Sequence, residues 1–170
     1  MFYSFTRVSQ ALVAGLMLSL SATSVSADAL ASNFSYRIVE ADAAGRDILV
    51  ERSSVKPGEV MHYELRHENK TDGDMAGLVI AAPVPAGVTL TLGGEESSVP
   101  AIFEVQAEMD PENEGLEWST LPAVRMVVDA NGELVEEPLP EAEIVGVRWS
   151  LSEALEAGET ALNSYRVRVN

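Results

Sequence analysis

The chain contains no cysteine among its 170 residues. This absence excludes disulfide bonds, thiolate nucleophiles and cysteine-ligated zinc, and it excludes a lipid attached through an N-terminal cysteine. A protein of this kind depends on a hydrophobic core for its stability. A length of 170 residues is enough for one domain with such a core.

Basic residues are also scarce, with 11 Lys and Arg against 27 Asp and Glu, which gives a formal net charge of −16. Lys56 and Lys70 are the only lysines, so a basic patch is hard to build. A charge of this sign repels phosphate groups, and it therefore opposes binding to nucleic acid and to anionic lipid. We expect no nucleic-acid partner.

A long apolar run is missing everywhere after the N-terminus. Residues 1–27 have the pattern of a helical signal peptide, with Arg7 as the positive charge and a short apolar run over residues 11–20. That run is well short of the roughly 20 residues that cross a bilayer. Val25, Ser26 and Ala27 predict cleavage before Asp28. The alternative is an uncleaved membrane anchor. We predict export to the periplasm or the medium, with no membrane span after cleavage.

The remaining residues, 28–170, have the patterns of one β domain without internal repeats. Residues 60–69 alternate, with Met61, Tyr63, Leu65 and His67 on one face of a predicted strand. A Pro-Gly turn precedes this strand and the polar turn of residues 69–74 follows it. No sustained apolar period of 3.6 residues occurs after residue 27.

Further strands are predicted at spacings near ten residues, which is typical of an antiparallel sandwich. Tyr36 and Ile38 are expected on one face of the first strand, and Ile48 and Val50 are expected to point inward from the second. Val145, Val147, Trp149 and Leu151 are expected on one face of the strand over residues 143–151. A loop is predicted at 93–98, an exposed connection at 136–143, a helical turn at 152–155 and a type I′ hairpin turn at Asn131-Gly132. The predicted strands cover residues 34–39, 46–52, 60–69, 76–82, 88–90, 101–109, 123–129, 143–151 and 160–169, with a short run around Trp118.

Several of these motifs together resemble the DUF11 repeat domain of bacterial secreted and surface proteins. The matching residues are Pro57, Gly58, Tyr63, Asn69, Pro83, Pro85, Gly87 and Val88, followed near the C-terminus by Val147-Arg148-Trp149, Leu155, Ala157-Gly158-Glu159 and Tyr165-Arg166-Val167. The resemblance covers roughly residue 38 to the end and implies an immunoglobulin-like sandwich. Ala82 stands where the family pattern usually has Asp, and His67 where it usually has an apolar residue, so any polar role of that Asp does not carry over.

Few residues have patterns that suggest chemistry. Ser53 and Lys56 have the Ser-x-x-Lys spacing of penicillin-binding enzymes, but a Pro-Gly turn follows them where the motif needs a helix. His62 and His67 are the only histidines, and five residues apart on one strand they point to opposite faces. His62 is expected to face solvent and His67 to be partly buried. We identify no catalytic, cofactor-binding or metal-binding residue.

Three acidic turns could offer oxygen ligands to calcium, although none has the spacing of the twelve-residue calcium loop. Trp118 and Trp149 are predicted core residues, and an exposed Trp118 would instead indicate a binding surface. The acidic turns are Asp72/Asp74, Asp110/Glu112/Glu114 and Asp129/Glu133, and two glycosylation sequons begin at Asn33 and Asn69.

The sequence therefore predicts an acidic, secreted or periplasmic, immunoglobulin-like β-sandwich without enzymatic activity or cofactor. Its expected role is a structural or protein-interaction module that contacts another cell-envelope or secreted protein through an edge strand or a loop. Because Pro83 and Pro85 blunt one edge, we expect the first or last strand to be the docking edge. The alternatives are a calcium- or carbohydrate-binding accessory module of the cell surface, and an enzyme with an unfamiliar site.

Overall fold

The structure, a computed structural model, describes residues 29–170. The predicted signal peptide, residues 1–27, and the cleavage site before Asp28 lie outside the described residues. Within residues 29–170 the chain forms eleven strands and one 3₁₀ turn at Glu141–Glu143. The strands are β1 (Leu30–Ala41), β2 (Asp47–Val50), β3 (Val60–Asn69), β4 (Val79–Pro83), β5 (Val88–Ser97), β6 (Ala101–Ala107), β7 (Glu117–Thr120), β8 (Val124–Val128), β9 (Leu134–Pro138), β10 (Gly146–Leu151) and β11 (Thr160–Val169).

Two antiparallel sheets pack against each other and a hairpin stands beside them. The five-stranded sheet has the order β2-β1-β3-β11-β5, the four-stranded sheet has the order β4-β10-β6-β7, and β8 pairs only with β9. Every strand pairing is antiparallel. The prediction of an all-β antiparallel sandwich is confirmed. No helix in the described part of the chain is long and apolar enough to cross a membrane.

The core lies between the two sheets, because alternate residues of each strand carry apolar side chains to the inner face. Fully burying one such side chain stabilises the fold by roughly 1.5–3 kcal/mol relative to leaving it in water. The five-stranded sheet contributes Ile38, Met61, Tyr63, Leu65, Leu90, Ala161, Tyr165 and Val167, and the four-stranded sheet contributes Ile80, Ala82, Val105, Ala107, Val147, Trp149 and Leu151.

The strands β3 and β11 form the centre of the five-stranded sheet, and both have the predicted bounds. They pair continuously from Thr160 opposite Glu68 to Arg168 opposite Val60. The next strand along the chain from β10 is β11, yet these two strands lie in different sheets. In a constant-type immunoglobulin domain the last two strands share one sheet. The closing pair implied by the DUF11 resemblance is therefore split between the sheets.

Three residues on predicted apolar strand faces are exposed. Tyr36 is 40% exposed, although Ile38 on the same face of β1 is fully buried, and Ile48 on β2 is 42% exposed. Tyr36 lies where β1 has a partner strand on one side only, and Ile48 lies on the edge strand β2 opposite Glu40, so both are at the margin of the sheet. Val145 is 43% exposed because it precedes β10 instead of belonging to it.

Three local predictions are wrong at the level of secondary structure. The predicted loop at 93–98 belongs mostly to β5, which bulges where its register with β11 shifts between Ser164 and Arg166. The predicted connection at 136–143 contains the end of β9 and the 3₁₀ turn. Residues 152–155 form no helical turn, and Leu155 instead makes a β-bridge with Met75.

The hairpin at Asn131-Gly132 is present, but its turn is not of type I′. Gly132 has φ of 84°, whereas no residue other than glycine has positive φ in the described part of the chain. The Gly132 N–H donates to the Asp129 carbonyl at 3.0 Å, and the Asp129 N–H donates to the Glu133 carbonyl at 2.8 Å. This is the longer loop that begins as a type I turn and ends on a left-handed glycine.

Tyr165 joins the two sheets. Its ring stacks on Tyr63 at a centroid distance of 5.1 Å and contacts Trp149 of the opposite sheet at 6.2 Å. Its hydroxyl donates a hydrogen bond to the Pro83 carbonyl on β4 at 3.0 Å. The side chain is fully buried, and this burial raises the pKa of the phenol well above its usual range. The hydroxyl therefore remains a donor at all ordinary pH values.

We expect Tyr165→Phe to destabilise the fold by about 1–2 kcal/mol, because the Pro83 carbonyl loses its buried donor. For a domain of this size the melting temperature should fall by about 2–6 °C. The matched control is Tyr36→Phe, which removes a hydroxyl at an exposed position and should change stability by less than about 0.5 kcal/mol. Equal melting curves for the two variants would show that the hydroxyl does not join the sheets.

Candidate functional site: an apolar groove beside the hairpin

His62 is buried on the outer face of the five-stranded sheet, so the prediction that it faces solvent is wrong. It is only 9% exposed. Its direct neighbours across the sheet are Arg37 on β1 and Arg166 on β11, whose long side chains lie on the same face. Burial and these two positive charges lower the pKa of His62 below its usual value of 6.5. His67 is half-buried, as predicted, and burial also lowers its pKa.

Ser53 and Lys56 lie in the exposed segment between β2 and β3. The Lys56 backbone N–H donates to the Glu59 carboxylate at 2.7 Å, which belongs to the turn that starts β3. No helix positions the two side chains together, so the arrangement required by the Ser-x-x-Lys motif is absent at these residues.

Two of the acidic turns use their carboxylates to hold their own backbone, whereas Asp74 of the third accepts a hydrogen bond from the Ala157 N–H at 3.3 Å. Asp110 accepts a hydrogen bond from the Glu112 N–H at 2.9 Å. Asp129 accepts hydrogen bonds from the Asn131 and Glu133 N–H groups at 2.8 and 2.9 Å, and these bonds lower the pKa of Asp129. Within residues 29–170, no group of three or more His, Cys, Asp or Glu side chains is placed to hold a metal ion.

Asn69 is fully buried and joins two loops. Its side-chain amide nitrogen donates to the carbonyls of Gly73, Leu155 and Glu156 at 2.8–3.1 Å. Its side-chain oxygen accepts hydrogen bonds from Thr71. The side-chain nitrogen of Asn69, which would carry a glycan, is therefore enclosed and used in structural hydrogen bonds. Asn33, which begins the other sequon, lies exposed on β1.

Trp149 is a core residue, as predicted, but Trp118 is only partly buried on the outer face of the four-stranded sheet. The guanidinium of Arg148 lies 4.4 Å from the centre of the Trp118 ring. Arg148 also pairs with both oxygens of Glu104, at 2.7 and 2.9 Å. This stacked arrangement covers a ring face of Trp118, so it does not favour a flat sugar-binding platform.

The sheet edges are only partly where the sequence predicted them. The last strand is not an edge, because β11 lies between β3 and β5. The first strand is an edge over residues 30–37, which pair with β3 alone, because β2 pairs with β1 only from Ile38 to Ala41. The other edges of the two described sheets are β2, β5, β4 and β7. Pro83 lies on the edge strand β4, consistent with its lack of an N–H donor.

An apolar groove with a volume of about 470 Å³ lies between the sandwich and the β8–β9 hairpin. Sequence reasoning missed it, because its walls come from four separate segments. This volume lies within the range of pockets that hold organic ligands or side chains of a partner, about 300–1,000 Å³. Its lining residues are all apolar: Leu92, Leu121, Pro122, Ala123, Pro138, Leu139 and Ile144.

Two hydrogen bonds hold the walls of this groove together. The Leu139 N–H donates to the Ala123 carbonyl at 3.0 Å, which joins the two ends of the hairpin. The Leu92 N–H on β5 donates to the Glu141 carboxylate at 3.0 Å, which joins the 3₁₀ turn to the sandwich. The groove is thus a defined feature of the fold that no described residue fills.

Comparison of this chain with protein-family models and with curated proteins finds no match. The function must therefore be argued from the described surfaces themselves.

We expect the stability of the fold to decrease as the pH falls below about 6.5. The folded protein holds His62 and His67 neutral, with pKa values below 6.5, whereas the unfolded chain takes up protons near that value. A second decrease should follow near pH 4, because hydrogen bonds lower the pKa of Asp42, Glu59, Glu68, Glu104 and Asp129 in the folded state.

Melting temperatures measured between pH 8 and about 3 check this prediction. The double variant His62→Gln/His67→Gln should be nearly insensitive to pH between about 7 and 5, and should still lose stability near pH 4. An unchanged slope between pH 7 and 5 in the double variant would contradict the assignment to these histidines.

Proposed function

We propose that this protein is an exported, non-enzymatic interaction module, which binds another cell-envelope or secreted protein through the apolar groove beside the β8–β9 hairpin. The immunoglobulin-like kinship and the location in the periplasm or medium are parts of this proposal. The signal-peptide pattern of residues 1–27 supports export. The observation that carries the binding function is the groove of about 470 Å³ with its entirely apolar lining.

An unfilled apolar groove supports binding because apolar side chains of a partner can enter it and leave water. The groove lies where β5, the hairpin and the 3₁₀ turn meet. A hydrogen bond joins β5 to the turn, and the ion pair between Arg125 and Glu143 joins the hairpin to the turn. A preformed site of this kind reduces the entropy that a partner loses on binding.

The exposed apolar residues elsewhere on the described surface support binding less well. Phe34, Tyr36 and Ile48 lie on the margin of the five-stranded sheet, where they form part of an open surface without opposing walls. Val79 and Ile102 flank Ser150 on the outer face of the four-stranded sheet. Scattered exposed apolar residues are common on proteins and need no partner.

The proposal is tested by cross-linking in the source cells with the full chain. A photoreactive residue at position 142, between the two glutamates of the 3₁₀ turn, should cross-link at least one exported protein. Leu121→Asn replaces an apolar wall by a polar side chain of similar size and should reduce the cross-link by about tenfold or more.

The matched control is Ile48→Asn on β2, at the opposite edge of the five-stranded sheet from β5. This variant should cross-link like the unchanged protein, and both variants should keep their melting temperature within a few degrees. Equal cross-linking by the two variants, or recovery of the chain only from the cytoplasm, would refute the proposal.

A further inference from the structure

The segment that builds the hairpin side of the groove also carries most of the negative charge of the protein. Residues 108–145, between β6 and β10, contain eleven Asp and Glu residues, one Arg and no Lys, for a net charge of −10 out of −16. The rest of the chain is much closer to neutral. The apolar groove is thus bordered by the most acidic part of the chain.

Three of these glutamates adjoin groove-lining residues, two as neighbours in the chain and Glu141 through a hydrogen bond. Glu137 precedes Pro138, and the side chains of Glu137 and Glu143 are 40% and 55% exposed. Glu141 uses one carboxylate oxygen to accept the Leu92 N–H. Glu143 precedes Ile144 of the groove wall. We define Glu137, Glu141 and Glu143 as the acidic rim.

The single basic residue of this segment does not neutralise the acidic rim. Arg125 lies 2.7 Å from Glu137 and 3.6 Å from Glu143, so its one positive charge is shared between two carboxylates. Glu141 has no cationic partner among the described ion pairs. The acidic rim therefore keeps a net charge of about −2 beside the apolar groove.

We propose that the occupant of the groove is a basic segment of a partner protein, in which apolar anchor residues are flanked by lysine or arginine. This inference rests on the proposed binding function of the groove and adds the chemistry of the partner. Apolar anchors would enter the groove and release water from its walls. The flanking cations would pair with the acidic rim and, at longer range, with the acidic turns of residues 108–145.

The same charges disfavour the other possible occupants. A second copy of this chain would bring its own −10 segment against the first, and like charges that face each other oppose association. An anionic membrane is repelled for the same reason. A neutral apolar small molecule would fit the groove but would gain nothing from the acidic rim.

Labelled peptides test this inference by fluorescence anisotropy with the mature chain. The probe is an octapeptide with two central leucines and three lysines on each side. Its two controls replace the leucines by serines or the lysines by glutamates. We expect that only the lysine–leucine peptide binds measurably. Its affinity should fall at least about tenfold when NaCl rises from about 0.05 to 0.5 M, because salt screens the charge pairs.

Matched charge variants locate the binding site. Glu143→Lys reverses a charge of the acidic rim and should weaken binding at least about fivefold. Glu51→Lys makes the same change on an exposed residue next to β2, at the far edge of the five-stranded sheet, and should leave binding within about twofold. Leu121→Asn should also weaken binding, whereas Ile48→Asn should not.

Three results would overturn the inference. The first is absence of binding by the lysine–leucine peptide, and the second is equal weakening by Glu51→Lys and Glu143→Lys, which would indicate unspecific charge attraction. The third is that the glutamate-flanked peptide binds as tightly as the lysine–leucine peptide, and that Leu121→Asn abolishes the binding of both. That third result would refute the basic partner while leaving the groove as a binding site, so the two proposals can fail separately.

Discussion

The structure depends on a row of aromatic side chains that starts at the exposed Phe34 and continues through the interior from one sheet to the other. Phe34 stacks on Tyr63 at 5.0 Å, Tyr63 stacks on Tyr165 at 5.1 Å, and Trp149 contacts Phe103 at 5.2 Å. The contact between Tyr165 and Trp149 connects the two halves of the row. Neither sheet can hide its apolar face alone, and aromatic residues bury more surface per side chain than any others. With the sheets fixed in this way, the segment between β6 and β10 is held against the edge of the sandwich.

The parts of the fold that follow from local sequence were predictable. Strand β3 alternates over ten residues, both β3 and β11 have the predicted bounds, and both lie inside the five-stranded sheet, where one face meets the core. The assignment of strands to the two sheets could not be predicted in this way, because it depends on which strands meet in space. Ile48 occupies an apolar position in an alternating pattern, which predicts burial, but it lies beyond the core. His62 occupies a polar position in such a pattern, which predicts exposure, but two neighbouring arginines cover its side chain. Neither outcome could be inferred without the strand order.

The candidate site was only partly predictable for the same reason. The excess of acidic residues within the segment 108–145 is visible in the sequence, as is the hairpin turn around Asn131. The groove itself brings together Leu92, Leu121 and Ile144, which are far apart in the chain and belong to no common motif. A site that is lined only by leucine, isoleucine, alanine and proline has no chemical pattern that a sequence can show. Its identification requires coordinates.

The most direct test of a binding groove on this sandwich is a titration of ¹⁵N-labelled residues 28–170, followed by backbone amide chemical shifts. The titrant is the lysine-flanked leucine peptide at low salt. The account predicts that the largest shifts fall on the amides of Leu92, Leu121, Ala123, Leu139 and Ile144, while the amides of β2 stay unchanged. Shifts that are largest on β1 and β2, or that spread evenly over both sheets, would contradict it.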